Sequence, residues 1–408
     1  MHLINPFAGL RPAPGRAAEV IAPPYDVLST DEARARAAGK SWSFLHISKP
    51  EIDLPREIDP HAPEVYAKAS ENLARMQREN ILVRDPARCY YVYRITLGAH
   101  VQTGLVTAAS IADYNSNRIR KHEHTQPDKE NDRVRQIDAL NAQTGPVLLA
   151  YPQAPEVDRI LAGCTAGTPD ADATADDGVR HTLWVVRDAG IQAKLTAAFD
   201  AMPALFIADG HHRSAAASRV AAARGAGADA DCNRFLTVIF PHHQMKILAY
   251  NRVVADLNGM DNAAFLARVG ENFTVEKIAA AAEPPTPATF SMYVHGQWHR
   301  LTIRRDRVPA NDPVARLDVS LLSDHLLTPV LGIRDLRGDK RIGYIGGARG
   351  LKELQARVDG GDMAVAFAMY PTSMQDLMAV ADAGQVMPTK STWFEPKLAD
   401  GLVSHLLD

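Results

Sequence analysis

Short apolar runs bounded by turn residues recur along the chain before residue 279, and they predict β-strands. The predicted strands are Cys89–Leu97, Gly104–Ile111, Pro146–Tyr151, Thr182–Val186, Ala204–Ala208 and Phe235–Phe240. Segments with helical spacing lie between some of these runs. The pattern therefore predicts an α+β fold, also described as mixed α/β.

A proline-rich segment divides the chain into two predicted domains. Ala279–Ala288 contains the sequence Glu-Pro-Pro-Thr-Pro, a composition typical of a connection. We expect a core domain with insertions over residues 1–278 and a smaller C-terminal mixed α/β domain over residues 289–408. The second domain should open with a hairpin and continue with helices around a buried strand: Phe290–Val294, Trp298–Ile303, Val319–Leu331, Gly350–Val358, Met363–Met369 and Thr372–Ala381.

Length and charge restrict the classes of function. A chain of 408 residues with 46% hydrophobic and 23% charged residues has the composition of an ordinary globular protein. The net charge of −3 gives no global reason to bind nucleic acid. No apolar run approaches the roughly 20 residues of a membrane span, and no signal peptide is recognisable. The sequence therefore predicts a cytoplasmic protein that binds neither membrane nor nucleic acid, and it leaves the oligomeric state open, a homodimer included.

The most informative polar segment follows the predicted strand Ala204–Ala208. Asp209–Arg213 has the sequence Asp-Gly-His-His-Arg, and the alanine-rich Ser214–Arg224 after it predicts a helix. The N–H groups at the start of a helix lack intrahelical acceptors and bind anions readily. Four polar side chains around one glycine, directly after a buried strand, are costly to order without a ligand. The segment therefore predicts an anion site, and the alternative is a capped helix with structural histidines.

Two further polar segments supply candidate chemical groups. Arg118–Arg133 is dense in ionisable residues of both signs, so it offers cations for phosphates and carboxylates for a metal or a proton. A solvated surface is the alternative for this segment. Val20–Val27 places Tyr25 and Asp26 directly after two prolines that fix the backbone, and here the alternative is a rigid turn with Tyr25 in the core.

In combination, these segments resemble the domain of unknown function 1015 family, and the resemblance runs nearly end to end. The motifs that carry it are Ala22–Val27, Lys121–Thr125, Lys129–Arg133, Ala208–Arg213, Asn251–Val254 and Trp393–Leu398. That family name implies no activity. Asp209–Ala216 is also similar to the glycine-to-arginine motif of the ParB and sulfiredoxin superfamily, which implies a nucleotide-binding core. This superfamily includes free serine kinases with a closely similar motif, whose turn binds nucleotide phosphates. The sulfiredoxins carry a cysteine where this chain has His211 and His212, so sulfinic acid reduction is not expected.

The resemblance implies nucleotide-dependent phosphoryl transfer to a small hydroxylated metabolite, with free L-serine as a candidate acceptor. A kinase of this kind uses Mg²⁺ and a nucleoside di- or triphosphate, and it needs phosphate-binding donors, metal ligands and a proton acceptor. The candidate nucleotide- and phosphate-binding residues are Asp209, Gly210, His211, His212, Arg213, Lys121, Lys129 and Arg133. The candidate catalytic residues are Glu123, Asp26, His211 and His212, and the candidate metal ligands are Asp209 and Glu123.

Two other functions remain open from the sequence. The first is a metal-dependent hydrolase or phosphatase with Zn²⁺ or Mn²⁺ held by His122, Glu123, His124, His211 and His212. The second is a non-catalytic, nucleotide-gated binding protein of the ParB type. It predicts nucleotide binding without a phosphorylated product.

Overall fold

The structure is a computed structural model, and it describes residues 2–408. Its strands are β1 (Ile4–Asn5), β2 (Gly9–Pro12), β3 (Leu82–Arg84), β4 (Tyr90–Leu97), β5 (His100–Ser110), β6 (Ile119–Arg120), β7 (Ala142–Gln143), β8 (Val147–Tyr151), β9 (Ala171–Thr174), β10 (Arg180–Val186), β11 (Leu205–Asp209), β12 (Arg234–Pro241), β13 (Lys246–Leu248), β14 (Tyr250–Val254), β15 (Phe273–Ile278), β16 (Thr289–Val294), β17 (Gln297–Ile303), β18 (Ile342–Gly346), β19 (Val365–Met369), β20 (Trp393–Glu395) and β21 (Ser404–Leu406). Its α-helices are α1 (Ala17–Val20), α2 (Thr30–Ala37), α3 (Leu45–Ser48), α4 (Pro63–Arg78), α5 (Ile111–Asn115), α6 (Pro127–Leu140), α7 (Pro155–Cys164), α8 (Ala189–Asp200), α9 (His211–Arg224), α10 (Asn262–Val269), α11 (Asp318–Leu322), α12 (Gly350–Asp359) and α13 (Met374–Asp382). This mixture of helices and sheets confirms the predicted α+β fold class.

The chain forms two units that differ from the expected domains 1–278 and 289–408. The first unit combines the chain up to Met245 with Pro396–Asp408, and the second is Lys246–Glu395. The proline-rich Ala279–Ala288 lies inside the second unit because β15, before it, pairs with β17, after it. The last residues return to the first unit because β21 pairs with β2 and β7.

A nine-stranded mixed sheet is the centre of the first unit. Its order is β6-β11-β8-β12-β5-β4-β10-β9, and β1 also pairs with β5. The pairs β11 with β6 and β12 with β8 are parallel, and the other pairs in this sheet are antiparallel. A small antiparallel sheet, β3-β2-β21-β7, completes the unit. Apolar residues of the large sheet and of α5, α7, α8 and α9 form the main core.

The second unit is built on a six-stranded antiparallel sheet of order β15-β17-β16-β19-β14-β18. Its β16–β17 hairpin turns at His295 and Gly296, as predicted, and both turn residues have a positive φ. The expected helix at Val319–Leu331 is shorter, since α11 passes into a π-helical turn at Ser323–Leu327. Among the described residues, no helix is both long and apolar enough to cross a bilayer.

Candidate functional site

The junction between β11 and α9 presents an anion-binding helix start in the first unit. β11 is buried from Leu205 to Ala208 and lies between β6 and β8, as its apolar sequence predicts. Gly210 has a φ of 94°, a conformation that strains residues with a Cβ, so the chain turns there into α9. The N–H of Arg213 already bonds to the Gly210 carbonyl. The N–H groups of His211 and His212 have no intrahelical acceptor and remain available for an anion.

On one side of this turn lies a group of charged side chains that we call the arginine cluster: Tyr25, Asp26, Arg133, Arg213 and Asp400. The guanidinium of Arg213 donates to the Pro146 carbonyl and to Asp26 Oδ2, both at 2.8 Å. The ring of Tyr25 lies 5.4 Å from the Arg213 guanidinium carbon and 3.9 Å from that of Arg133. The tyrosine is therefore a shared platform for two cations.

The charges of the arginine cluster are maintained by pairing. Burial opposes the charge on Arg213, but Asp26, Tyr25 and the carboxylates Asp209 and Asp400 together outweigh it, and the pKa of Arg213 is raised. Burial likewise opposes the charge on Asp26, but Arg213, Lys397 and the other nearby groups together outweigh it, so the pKa of Asp26 is lowered. Asp400 differs because burial dominates there and raises its pKa to about 7, with Arg213 opposing the rise. The cluster thus contains two charged partners and one carboxyl group near its titration point.

Asp209 lies at the end of β11, in front of α9. One carboxylate oxygen accepts the Gly210 N–H at 2.9 Å, and the other lies 4.0 Å from Lys397 Nζ. Its side chain is 46% exposed, so the carboxylate is accessible to a ligand. Mg²⁺ is commonly held by one or two carboxylates together with water and substrate phosphates. The oxygen donors of Asp209 fit this preference.

On the other side of the turn lies the histidine cluster, which consists of His122, Glu123 and His211. The two rings meet edge to face with centroids 4.5 Å apart, and the backbone N–H of His122 donates to His211 Nε2 at 3.3 Å. Because Nε2 accepts this bond, the neutral His211 ring carries its proton on Nδ1, which lies 3.7 Å from Glu123 Oε2. The His122 ring makes a hydrogen bond to the Ile207 backbone. Each ring is thus bonded through one nitrogen, and the Nδ1 atoms of His122 and His211 have no hydrogen-bond partner among residues 2–408.

Burial holds both histidines of this cluster in the neutral form. It lowers the pKa of His122 to about 4. Burial and the neighbouring His122 together place the pKa of His211 well below its ordinary value. Glu123, by contrast, is 51% exposed. The cluster is therefore neutral in its interior and carries its one carboxylate at the surface.

The histidine cluster also has the residue types of a metal site. One ligand atom from each of His122, Glu123 and His211 lies within 4.8 Å of the others. The proton on His211 Nδ1 faces Glu123, so a metal at that atom would require His211 to lose its bond from the His122 N–H. The other two histidines that sequence analysis added to this set, His124 and His212, do not belong to the group.

Three further candidate residues have other contacts. His212 accepts the Gln126 N–H through Nε2 at 3.0 Å, which leaves its Nδ1–H as a donor, and burial followed by Lys129 lowers its pKa. Lys129 is exposed in the first turn of α6. Lys121 donates to the Tyr114 carbonyl at 2.7 Å and lies over the Tyr114 ring, and burial lowers its pKa. Lys121 is thus held within the protein surface rather than extended from it.

The sequence analysis missed Asp400 and treated Lys397 only as part of a family motif. Both follow β20, in the segment that returns to the first unit. Asp400 accepts the Tyr25 N–H and exchanges backbone hydrogen bonds with Ala22, which places its carboxyl against Arg213. The motif Trp393–Leu398 was the only sequence signal for this segment, and nothing in the sequence marked Asp400 itself.

Comparison with solved structures gives distant likenesses only. A free serine kinase in complex with AMP is 13% identical, with a TM-score of 0.36 over 73% of this chain and 92% of that chain. A conserved hypothetical protein from Pyrococcus furiosus is 14% identical, with a TM-score of 0.34 over 73% and 95%. SbnI with a C-terminal truncation, from Staphylococcus aureus, is 14% identical, with a TM-score of 0.38 over 72% and 85%. Similarity at this level carries no conclusion about activity.

A search of the curated proteins found no match. The family profile described as protein of unknown function, DUF1015, matches residues 4–320, which is well over half of the chain. The match includes the histidine cluster and all of the arginine cluster except Asp400. It confirms the family resemblance and covers five of the six sequence motifs, while Trp393–Leu398 lies beyond the matched residues. The chain therefore belongs to the DUF1015 family.

Proposed function

We propose that the protein transfers a phosphoryl group from a nucleoside di- or triphosphate to a small hydroxylated metabolite, with Mg²⁺ as cofactor. L-serine is the first acceptor to test, because the Asp209–Arg213 motif resembles that of free serine kinases. The observation that carries the proposal is the accessible helix start at Gly210, which has Arg213 and the half-exposed carboxylates Asp26 and Asp209 beside it. Phosphoryl transfer requires this combination of anion-binding donors with carboxylates for metal and proton.

The phosphates of the donor would bind at the turn. The free N–H groups of His211 and His212 supply two hydrogen bonds, and the positive end of α9 favours the negative charge. His212 Nδ1–H is a third donor near the same helix turn, because its Nε2 is occupied by the Gln126 N–H. Arg213 adds a fixed positive charge whose position is set by Asp26 and the Pro146 carbonyl. Lys129 would add an exposed positive charge near this turn, where it already lowers the pKa of His212.

Asp209 would hold Mg²⁺ against the phosphates through the carboxylate oxygen that faces Lys397. The bound ion would neutralise charge on the phosphate oxygens during transfer. Glu123, the second predicted metal ligand, lies next to histidine nitrogens rather than among oxygen donors. Because Mg²⁺ prefers oxygen ligands, Glu123 fits this ion less well than Asp209 does.

Glu123 is better suited than Asp26 to accept the proton of the acceptor hydroxyl. Asp26 is bound to Arg213 at 2.8 Å, and this cation lowers the pKa of Asp26, which weakens it as a base. Glu123 is exposed, and its Oε2 lies 3.7 Å from His211 Nδ1. In the reaction the acceptor oxygen bonds to phosphorus, the bond from phosphorus to the nucleotide oxygen breaks, and the hydroxyl proton passes to Glu123.

His211 would act as a positioning residue rather than contact the substrate. Its side chain is only 2% exposed, and its ring lies between His122 and Glu123. The hydrogen bond from the His122 N–H selects the tautomer whose proton faces Glu123. We therefore assign phosphate binding to the backbone N–H of His211 rather than to its ring.

Phosphorus NMR of the purified protein with ATP or ADP, Mg²⁺ and a pool of small hydroxylated metabolites that includes L-serine tests this function. We expect a new phosphomonoester resonance, and removing one metabolite at a time from the pool identifies the acceptor. Nucleotide binding without any new resonance would instead support the non-catalytic, nucleotide-gated protein. Release of inorganic phosphate alone would support a hydrolase.

A metal-dependent hydrolase is the second candidate, and the closeness of His122, Glu123 and His211 favours it. Both imidazoles are neutral, as metal ligands must be. Elemental analysis of the protein as purified provides the test. Stoichiometric Zn²⁺ or Mn²⁺ that is lost in His122→Gln would favour the hydrolase. Absence of both metals would exclude the hydrolase as a candidate.

A further inference from the structure

A cavity lies on the side of Arg213 that faces β8 and β12. Including the open space at its mouth, it measures about 490 Å³. Its polar lining includes Ser48, Arg213 and Asp400, and its apolar lining includes Ile137, Val147 and Phe235. The cavity lining includes Arg213 but not Gly210, His211 or His212, so the cavity is distinct from the helix start, and the Arg213 side chain borders both. It is therefore a second binding region beside the proposed phosphate site.

Two buried donors in this cavity have no partner among residues 2–408. Ser48 is 7% exposed, and its hydroxyl makes no hydrogen bond. The other is Arg213 Nε, although both terminal nitrogens of the same guanidinium are bonded. A buried polar group without a partner costs about 1–3 kcal/mol. A ligand that brings hydrogen-bond acceptors into this cavity would satisfy both donors.

The backbone leaves room in front of Arg213 Nε. Gly145 lies at the cavity wall, and a Cβ added to it would lie 3.5 Å from Arg213 Nε and 3.7 Å from Asp400 Oδ1. These are ordinary contact distances, so a methyl group would fit without strain and would occupy the space between the guanidinium and the carboxyl. The absence of a side chain at residue 145 keeps this space open.

The charges around the cavity admit a monoanion and oppose a dianion. Arg133 and Arg213 are balanced by Asp132 and Asp26 in direct ion pairs. The remaining charge is that of Asp400, which is negative when ionised. A phosphate dianion would add two charges against an apolar wall with too few donors. A carboxylate adds one charge, and it offers one acceptor oxygen for each of the two unpartnered donors.

We propose that this cavity binds the carboxylate of the acceptor molecule through Ser48 Oγ and Arg213 Nε, so that the acceptor is a hydroxy acid rather than a simple alcohol or polyol. The inference rests on the proposed phosphoryl transfer for the identity of the ligand as acceptor. The carboxylate pocket itself is tested by direct binding, which does not depend on any activity. If phosphoryl transfer is rejected, the carboxylate pocket can still be tested, and the reverse also holds.

Carboxylate binding should be coupled to proton uptake by Asp400. The groups that face Asp400 are Arg213, Arg133, Asp26 and the Tyr25 N–H, and burial raises its pKa to about 7. An incoming anion repels ionised Asp400 and attracts the proton. Affinity is then highest below about pH 7 and falls by up to about tenfold per pH unit above it.

The test is a titration of the full-length protein with sodium acetate at constant ionic strength, followed by saturation-transfer NMR at about pH 6 and about pH 8. Ser48→Ala should weaken acetate binding about tenfold, because it removes a hydrogen bond to a charged group. Gly145→Ala should abolish binding by filling the space. Asp400→Asn should remove the pH dependence. Ser116→Ala, at an exposed serine whose hydroxyl donates to the Asp113 carbonyl, is the matched control and should bind as the wild type does.

Absence of acetate binding to the wild type would overturn the proposal, as would equal binding by the wild type, Ser48→Ala and Gly145→Ala. Stronger binding of inorganic phosphate than of acetate, with the same sensitivity to Ser48→Ala, would overturn the assignment to a carboxylate. If acetate binds as expected while phosphorus NMR gives no phosphomonoester, the carboxylate pocket is supported and the proposed phosphoryl transfer is rejected. If a phosphomonoester forms from an acceptor without a carboxylate, phosphoryl transfer is supported and the assignment of the acceptor as a hydroxy acid is rejected.

Discussion

The two sides of the Asp209–Arg213 turn handle buried titratable groups in opposite ways. The arginine cluster keeps its charges, since Arg213 and Asp26 bind each other at 2.8 Å and each stabilises the charged form of the other. The histidine cluster loses its charges, because burial holds His122 and His211 neutral. One helix start thus has a charged side and a neutral side.

This difference separates two tasks that phosphoryl transfer requires. A fixed positive charge that resists deprotonation is suited to phosphate oxygens, and Arg213 provides it. A neutral imidazole with a fixed tautomer can hold a carboxylate in place without lowering its basicity through a full positive charge. We propose that His211, whose Nδ1 lies 3.7 Å from Glu123 Oε2, does this for Glu123. Burial and pairing, rather than residue type alone, decide which task each side performs.

The largest effect is expected from Arg213→Ala. It removes the fixed charge at the turn and should lower kcat/KM for the nucleotide by about 10²–10³-fold, by analogy with loss of an oxyanion-binding donor. Arg213→Lys should recover little of this, because an ammonium cannot reproduce the fork that joins Asp26 and the Pro146 carbonyl. Calorimetry with ADP and ATP measures the binding part. The control is Arg219→Ala on the same helix, where the cation pairs with Glu130; equal losses in the two variants would contradict the role of Arg213.

Glu123→Gln should reduce turnover by about 10²-fold or more while nucleotide affinity stays near that of the wild type. The amide keeps the size of the side chain but cannot accept the hydroxyl proton. Separate measurement of kcat and of the nucleotide Kd tests this split, with Glu156→Gln, an exposed glutamate in α7, as the control. A change in the nucleotide Kd with unchanged kcat would show instead that Glu123 belongs to the nucleotide or metal site.

Asp400 should make the protein less stable as pH rises. Its pKa is raised to about 7 in the fold from an ordinary 3.8, so the folded protein binds the proton more tightly. The stabilisation is complete below about pH 4 and is lost between about pH 4 and pH 7, by about 1.4 kcal/mol per pH unit. Asp400→Asn should remove this slope in urea unfolding curves. The same slope in wild type and variant would show that Asp400 is not the group that titrates.

His122 should act in the opposite direction. Burial lowers its pKa to about 4, so the unfolded chain binds the proton more tightly and stability falls as pH drops from about 6.5 to 4, by about 1.4 kcal/mol per pH unit. His122→Gln should flatten only part of the acid slope, because buried His181 also has a pKa of about 4. Urea midpoints across this range measure the change. An unaltered slope would contradict the neutral character of the histidine cluster.

The smallest effect is expected from Lys129→Ala. Its exposed side chain acts on the turn only at long range, so nucleotide affinity should fall a few-fold at low salt and remain unchanged at high salt. The comparison is Lys194→Ala, an exposed lysine in α8, which should have no effect at either salt concentration. A large, salt-resistant loss in Lys129→Ala would mean that the lysine contacts the phosphates directly.

The local part of the site could be predicted from the sequence. The apolar Ala204–Ala208, the glycine and the alanine-rich segment after it specify a strand, a turn and a helix through their own spacing, and the structure has β11, Gly210 and α9 there. The helix begins at His211 rather than Ser214, so the polar residues lie in its first turn. Strand and helix patterns carry this information because it depends on neighbours in the chain.

The long-range part could not be predicted. Asp400 reaches Arg213 only because β21 pairs with β2 and β7 and returns the end of the chain to the first unit. Burial of His211 depends on a contact with the His122 backbone, 89 residues away. Neither contact leaves a periodic signal in the sequence. Burial decides whether a side chain can contact a ligand or can only position another residue, and burial is visible only in the fold.

A crystal structure with ADP and Mg²⁺ would test the central claim most directly, namely that the turn before α9 binds nucleotide phosphates. We expect a phosphate within hydrogen-bond distance of the His211 and His212 N–H groups, with Arg213 beside it and Mg²⁺ on Asp209. Phosphates bound away from this turn, or a metal held by His122, Glu123 and His211 in place of Asp209, would contradict the account.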